Sequence, residues 1–566
     1  MRRFTPLWTG MLLPVAFAAC TRHMTAPQTP PTPPVHTIPV YQHVSVTTQH
    51  NDNSRAGLNN NELSLTTSNV NTRQFGKQFV LKVDDQVYSQ PLAVGKLSIG
   101  GGTHNVVFIA TVNNSVYAFD GDSGTLYWQK NYTAAGMRPP VNTDMNSSWC
   151  TPYTDFTGNI GIVGTPVIDT ASGRMYFVAR STDGNNFVQY LHAIDIVTGA
   201  ESAAGPVRIS ASVSGTGDGS VGGVVSFDPR RNNQRQGLTL VSGTVYITWS
   251  SHCDWNPYHG WILGYNAQTL QLVTVYNDTP SGENGGIWES GMGMAADSAG
   301  NLYVTTGNGT VGQGNLFTPT GNGTYEANPN PDPTNLANRA ESALKLTPSG
   351  DSLLVASYFT PFNYLQADTN DVDYGSLGTF LIPHSNYYVT GAKDGNIYLL
   401  DKDNMGGYSP SSNQIQQTYS IVGSMHCQPA YYRGRTIELV YVWSEYDVLR
   451  SLAFSRTSNT LSSYQKLSGS TGPQGATGAV ISVSSNDTTS GTGIVWAAYP
   501  EAGNAGATPG VLRAFDANDI THELWNSDMT IGDAPGTFAK FCPPTIVNGH
   551  VYLATFSNQV VVYGLK

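Results

Sequence analysis

The chain has 566 residues, of which only 12% are charged, while 60 are Gly, 32 Pro and 30 Tyr. That balance excludes a long helical protein, which needs far more Glu, Lys, Ala and Leu, and fits a turn-rich, strand-rich exported protein. A formal charge of −11 with no basic cluster excludes nucleic acid and anionic membrane surfaces as partners.

The N-terminal stretch "MRRFTPLWTGMLLPVAFAAC" has a basic start, an apolar run from Leu7 to Phe17 and small residues before Cys20. This is the pattern of an export signal, and the run is too short to span a membrane. "VAFAAC" resembles a bacterial lipobox, which implies that residues 1–20 form a lipoprotein signal with Cys20 as the lipidated residue. Thr21 and Arg22, where an inner-membrane lipoprotein would carry Asp, imply sorting to the outer membrane, facing periplasm or surface. Residues 21–44 are Pro-rich and read as a tether, leaving 45–566 as a single folded body.

From residue 87 the chain repeats. "YSQPLAV…VVFIATVNNSVYAFDGDSGTLYWQKNY" contains four strands and short turns, and the same order recurs down to "FCPPTIVNGHVYLATFSNQVVVYGLK", giving eight copies. Small antiparallel sheets that cannot bury both faces alone are the signature of a β-propeller, so the expected fold is all-β, an eight-bladed propeller of four-stranded antiparallel blades. Asp120, Asp195, Asp401 and Asp516 recur at the hairpins, where a carboxylate can accept the turn's N–H groups. Trp128 and Trp525 recur with the repeat and are expected to pack blade on blade. The last copy has three strands. "FGKQFVLKVDD", residues 75–85, is expected to supply the fourth, pairing Phe79 to Val83 against Val560 to Tyr563.

Apart from Cys20 the cysteines are Cys150, Cys253, Cys427 and Cys542, and three pairings are possible. Cys150 with Cys253, both in loop-like stretches, is the pairing expected.

The "vYAxDxxTGxxxW" repeat resembles that of the quinoprotein alcohol dehydrogenase-like family, whose members carry pyrroloquinoline quinone (PQQ), and that of the propeller lipoprotein of the outer-membrane barrel-assembly machinery. Matching residue by residue, the resemblance implies Trp288 near the quinone-stacking position, Asn308 of "TGNG" at a calcium-ligating position, and Asp183 one place from a calcium-ligating Glu position. The family's catalytic Asp position falls on Leu346, which cannot take a proton.

Other candidates follow from the residues themselves. Asp368, Asp371 and Asp373 in "QADTNDVDYGS" form an acidic loop that could bind calcium. "SHCDWNPYHGW" groups His252, Asp254, Trp255, Tyr258 and His259, a set to be weighed as a metal site or an acid–base pair against loop histidines hydrogen-bonded in place. Residues preceding each innermost strand should line the channel mouth, namely Gln90, Thr165, Met292, His426, Gln428 and neighbours of Cys542. Most of these are polar and uncharged. The sequence reading is therefore an exported, lipid-anchored binding or scaffolding module of the cell envelope, recognising an envelope protein, a peptide or a glycan and holding no cofactor. The alternative is a PQQ-dependent dehydrogenase, with calcium, or another carbohydrate-active or hydrolytic enzyme with its site at the central channel.

Overall fold

Eight four-stranded antiparallel sheets, one per repeat, form the blades of an eight-bladed β-propeller. The structure, a computed structural model, describes residues 43–147, 150–313, 317–319, 325–327, 332–469, 472–475, 477–502 and 508–566. The signal sequence, Cys20 and the Pro-rich segment as far as residue 42 lie outside the described residues.

Burial grades across each blade. In blade one the third strand, Ser115–Asp120, is buried at every position, while the fourth, Leu126–Asn131, is largely exposed. The first strands are Leu92–Ile99, Val167–Asp169, Thr239–Val241, Ala295–Ala296, Phe380–Leu381, Ala430–Arg433, Val480–Ser484 and Thr545–Val547. Neighbouring first strands touch one another from blade two through blade five and from blade six through blade eight, which places them around the central axis.

Blade eight closes as expected. Phe75–Lys82 pairs antiparallel with Gln559–Leu565, with Phe79 opposite Val562, Val80 opposite Val561 and Leu81 opposite Val560. The N-terminal strand therefore covers the edge that the last repeat leaves bare. Phe75 meets Trp525 of blade seven edge-on at 5.0 Å, and Tyr563 meets the same Trp525 at 5.4 Å, so this aromatic group joins blades seven and eight. Trp128 does the same between blades one and two, donating through Nε1 to the Ile196 carbonyl at 3.2 Å. At the hairpins, Asp120 accepts from the Ser123 N–H at 2.8 Å and Asp195 from the Thr198 N–H at 2.8 Å, as the repeat implied.

Residues 44–62, to which the sequence reading assigns no element, thread across one end of the channel and visit the blades in order. Val46 exchanges both backbone hydrogen bonds with Ala93 of blade one, and the Thr47 carbonyl accepts from Ile168 of blade two. The Asn53 side chain donates to Leu240 of blade three. The carbonyls of Asn53, Ser54, Ala56 and Gly57 then accept from Ala296, Leu381, Tyr431 and Val483 of blades four to seven, and the Asn59 side chain donates to Ile546 of blade eight. One turn of chain thus satisfies one backbone group on each inner strand. Arg55 sits fully buried in this plug. Its guanidinium donates to Met294, Gln49 and Leu238 carbonyls and to the Thr48 and Thr239 hydroxyls, at 2.7–3.2 Å.

Candidate functional site

The inner segments run from a cavity at the other end of the axis down to the plug. That cavity holds about 310 Å³ and is walled by residues that precede the first strands of blades two to six and eight, with the blade-three loop after Thr244–Ser251 adding Cys253 and Asp254 and the blade-five hairpin adding Lys393.

Trp288 forms one wall, and the glycines around it explain how. A Cβ on Gly286 would lie 2.3 Å from the Trp288 ring, and one on Gly307 would lie 3.0 Å away. The Gly307 N–H donates to the Gly286 carbonyl at 2.9 Å, so "GGIW" and "TGNG" together make a bed for the indole. Tyr258 meets the ring edge-on at 6.0 Å, and its hydroxyl donates to Asp254 at 2.8 Å. Asp254 opens onto the cavity. Asp254 is solvent-exposed at the mouth, where the surrounding walls only partly desolvate it, and the Asp373 carboxylate adds repulsion. Together they push its carboxyl up to about 7 against the hydrogen bond from Tyr258. A carboxyl poised there can take or give a proton near neutral pH.

Across the cavity, Lys393 at the tip of the blade-five hairpin reaches Asp373 at 2.6 Å and Asp371 at 3.1 Å. Burial works against its charge, but the two carboxylates outweigh it and hold the ammonium above the ordinary lysine range. Asn308 joins the group, donating from its side chain to Asp371 at 3.0 Å and from its backbone to Asp373 at 3.5 Å. Asp368 stands on a short helix, Tyr364–Thr369, and is pushed up to about 7 by burial above all.

The third wall is basic. Arg235 stacks on Phe541 with 3.9 Å from guanidinium carbon to ring centroid, and no side-chain ion pair holds it among the described residues. Lys540 lies behind, lowered to about 8 by burial and by Arg235. The Cys150–Cys253 disulfide is present, and Cys253 borders the cavity. Cys427 and Cys542 remain buried thiols. His252 holds a loop beneath this wall. Arg180 can only donate, so His252 Nε2 accepts from it at 2.6 Å and Nδ1 must carry the proton that faces the Tyr153 hydroxyl at 2.8 Å. Burial and Arg180 keep this imidazole neutral, which makes it a structural link rather than a proton carrier.

Of the residues singled out in the sequence, Cys253, Asp254, Trp288, Asp373 and His426 line the cavity, and Asn308 and Asp371 adjoin it. His426 is engaged by Glu445 at 2.6 Å. Gln90, Thr165, Met292 and Gln428 lie one layer deeper, buried between cavity and plug. Gln428 donates to the carbonyls of Ser290 and Phe541, at 2.6 and 3.0 Å, while Gln90 accepts from the His50 N–H and donates to Thr545. They build the floor. Asp183 spends its carboxylate on its own turn, accepting from the Asn185 and Asn186 N–H groups, and is not on the cavity wall. The cavity lining is thus ionic, with Asp155, Asp254, Asp373, Arg235 and Lys393, where the sequence led us to expect uncharged polar groups. Arg235 and Lys393 had one signal in the sequence: they are cations in a chain with only 28 Lys and Arg residues.

The residues do not fit calcium. Among the described residues no group of three or more His, Cys, Asp or Glu side chains is placed to hold a metal ion, and the Lys393 ammonium already engages both carboxylates beside Asn308. An anionic planar group fits better, with the Trp288 indole face and the Arg235 guanidinium in one cavity.

No family model matches this chain, and no curated protein matches it. Solved structures do. The quinohemoprotein alcohol dehydrogenase of Comamonas testosteroni superposes with a TM-score of 0.57 at 13% identity, over 92% of this chain and 80% of that one. The quinohemoprotein alcohol dehydrogenase ADHIIG of Pseudomonas putida gives a TM-score of 0.57 at 14% identity, with the same coverage. At that identity the likeness is one of fold: this chain shares with those structures the eight-bladed propeller.

Proposed function

We propose that the channel-mouth cavity is the active site of a quinone-dependent oxidoreductase acting on small alcohols. The observation that carries this reading is Asp254, a carboxyl poised at about 7 in the same cavity as the Trp288 ring. Trp288 would hold the cofactor's ring system, and Arg235, backed by Lys540, its carboxylates. When bound, such a quinone supplies the acceptor for the two electrons that leave the alcohol carbon. Asp254 takes the hydroxyl proton, and the Tyr258 hydroxyl keeps that carboxylate oriented. The base thus comes from the blade-three loop and not from the position occupied by Leu346, which is buried in a strand of blade four.

The test is reconstitution. Purified protein mixed with PQQ, with and without calcium, is expected to show the absorbance of bound cofactor and to reduce a dye with alcohols or sugars. Trp288→Ala should lose cofactor binding, whereas Asp254→Asn should bind cofactor and lose turnover by about 10²–10⁴-fold. Neither bound absorbance nor dye reduction across the substrate panel would end the proposal. We also propose that Cys20 anchors the protein to the envelope membrane by its lipid alone. Metabolic labelling with a fatty-acid probe should mark the wild type and leave Cys20→Ser unmarked.

A further inference from the structure

We propose that Lys393 is the resident cation of this cavity: a tethered ammonium fills the place between Asp371, Asp373 and Asn308 that a divalent ion would otherwise take. The inference concerns charge and not turnover, so it stands or falls apart from the quinone reading.

The geometry supports it in three ways. First, the ammonium has three N–H groups and three oxygen contacts, to Asp373 Oδ2 at 2.6 Å, Asp371 Oδ1 at 3.1 Å and the Asp371 carbonyl at 3.1 Å. Second, its position is fixed by backbone as well as side chain, because the Lys393 N–H donates to the Asp373 carbonyl at 3.2 Å. Third, the oxygens around it are those a hard cation would use. Asn308 is tied to both carboxylates, and its buried Oδ1 has no hydrogen-bond partner. An ion entering here must displace the lysine or share two carboxylates with it. Coulomb repulsion at about 3 Å makes the second option unfavourable.

Removing the lysine charge should therefore create a metal site. Full-length protein is titrated with calcium by calorimetry and melted in calcium or in EDTA. The wild type is expected to give no binding heat and one Tm in both. Lys393→Met, which keeps the stem and loses the charge, should melt lower in EDTA and recover in calcium, with an affinity gain on the order of a hundredfold or more over wild type. If that variant does not fold, Lys393→Met combined with Asp371→Asn relieves the repulsion; it should melt near wild type and still bind calcium more tightly than wild type does. Calcium binding or an EDTA-lowered Tm in the wild type overturns the proposal. So does a folded variant that gains nothing from calcium. None of these readouts involves the quinone.

Discussion

Individual carboxyl groups in this protein sit in two kinds of place, and pH separates them. Asp254 faces the cavity, so in the proposed reaction its elevated value near 7 would set the pH dependence. If it acts as base, turnover of the reconstituted enzyme should rise as pH passes upward through about 7, and that inflection should vanish in Asp254→Asn. A profile flat from pH 5 to 9 would remove Asp254 from the reaction. Glu289 is the opposite case. It is fully buried, Thr305 donates to one oxygen from N–H and hydroxyl at 3.0 and 3.1 Å, and the other oxygen has no partner. Burial pushes it up to about 8 from an ordinary 4.5. The folded state therefore holds this proton where the unfolded chain has released it, and the stability contributed is lost as pH rises from about 4.5 to about 8. Glu289→Gln keeps the shape and cannot ionise. Relative to wild type it should gain roughly 2–5 kcal/mol in unfolding free energy between pH 4.5 and 8, read by urea titrations at both values.

At the level of elements, the plug is held differently from the blades. A strand in a blade is bonded along its length to its neighbours, whereas residues 44–62 make one to a few polar contacts with each of the eight blades, the longest being the Leu58–Asn59 pairing with Val483–Ser484, and Arg55 supplies five of the hydrogen bonds at their centre. No salt-bridge partner neutralises that guanidinium among the described residues, and burial lowers it only to about 10, so it remains charged at neutral pH. Arg55→Ala leaves carbonyls of Met294, Gln49 and Leu238 facing a void and should cost about 3–5 kcal/mol, measured by denaturant midpoint. Arg55→Lys should restore little, since an ammonium cannot span five acceptors arranged for a planar fork. The same contrast explains what was legible in the sequence. Blades announce themselves by alternation, recurring Asp and Gly turns and recurring Trp. The plug, "VSVTTQHNDNSRAGLNNNE", has no periodicity to find, because its contacts pass from one blade to the next along the segment. The cavity was half legible for a related reason. Trp288, Asn308 and Asp373 lie in motifs with local signatures. Arg235 and Lys393 come from a loop and a hairpin of different blades, and only the closed ring brings them to one cavity. Gln90, Thr165, Met292 and Gln428 missed the surface because each inner segment already dips one layer before its strand begins.

For the whole molecule the decisive question is how a ring of eight blades remains shut. Each blade packs on two neighbours, so in a linear array the first and last would expose a face, and the last would also expose an edge. The chain joins its ends twice. Phe75–Lys82 completes blade eight by strand pairing, and the plug that precedes it ties every inner strand to one continuous segment. The Cys150–Cys253 disulfide adds a covalent tie, but it links the loop between blades one and two to the blade-three loop and does not cross the closing seam. Closure therefore rests on hydrogen bonds and on the aromatic group of Phe75, Trp525 and Tyr563, and reduction alone should not open it. Deleting residues 75–82, or truncating after Ser557, removes one partner of the closing pair and strips cover from blades seven and eight together. Because stability in a closed ring is shared by all blades, the loss should not be local: the cooperative melting transition of the entire propeller should disappear, with loss of near-ultraviolet circular dichroism from the packed tryptophans. A weaker change, Phe75→Ala, leaves the backbone pairing and removes the ring between Trp525 and Tyr563. It should lower stability by about 3–5 kcal/mol while keeping a single transition. If the deleted or truncated protein instead melts as the wild type does, the strand is an appendage and the ring is closed by something else.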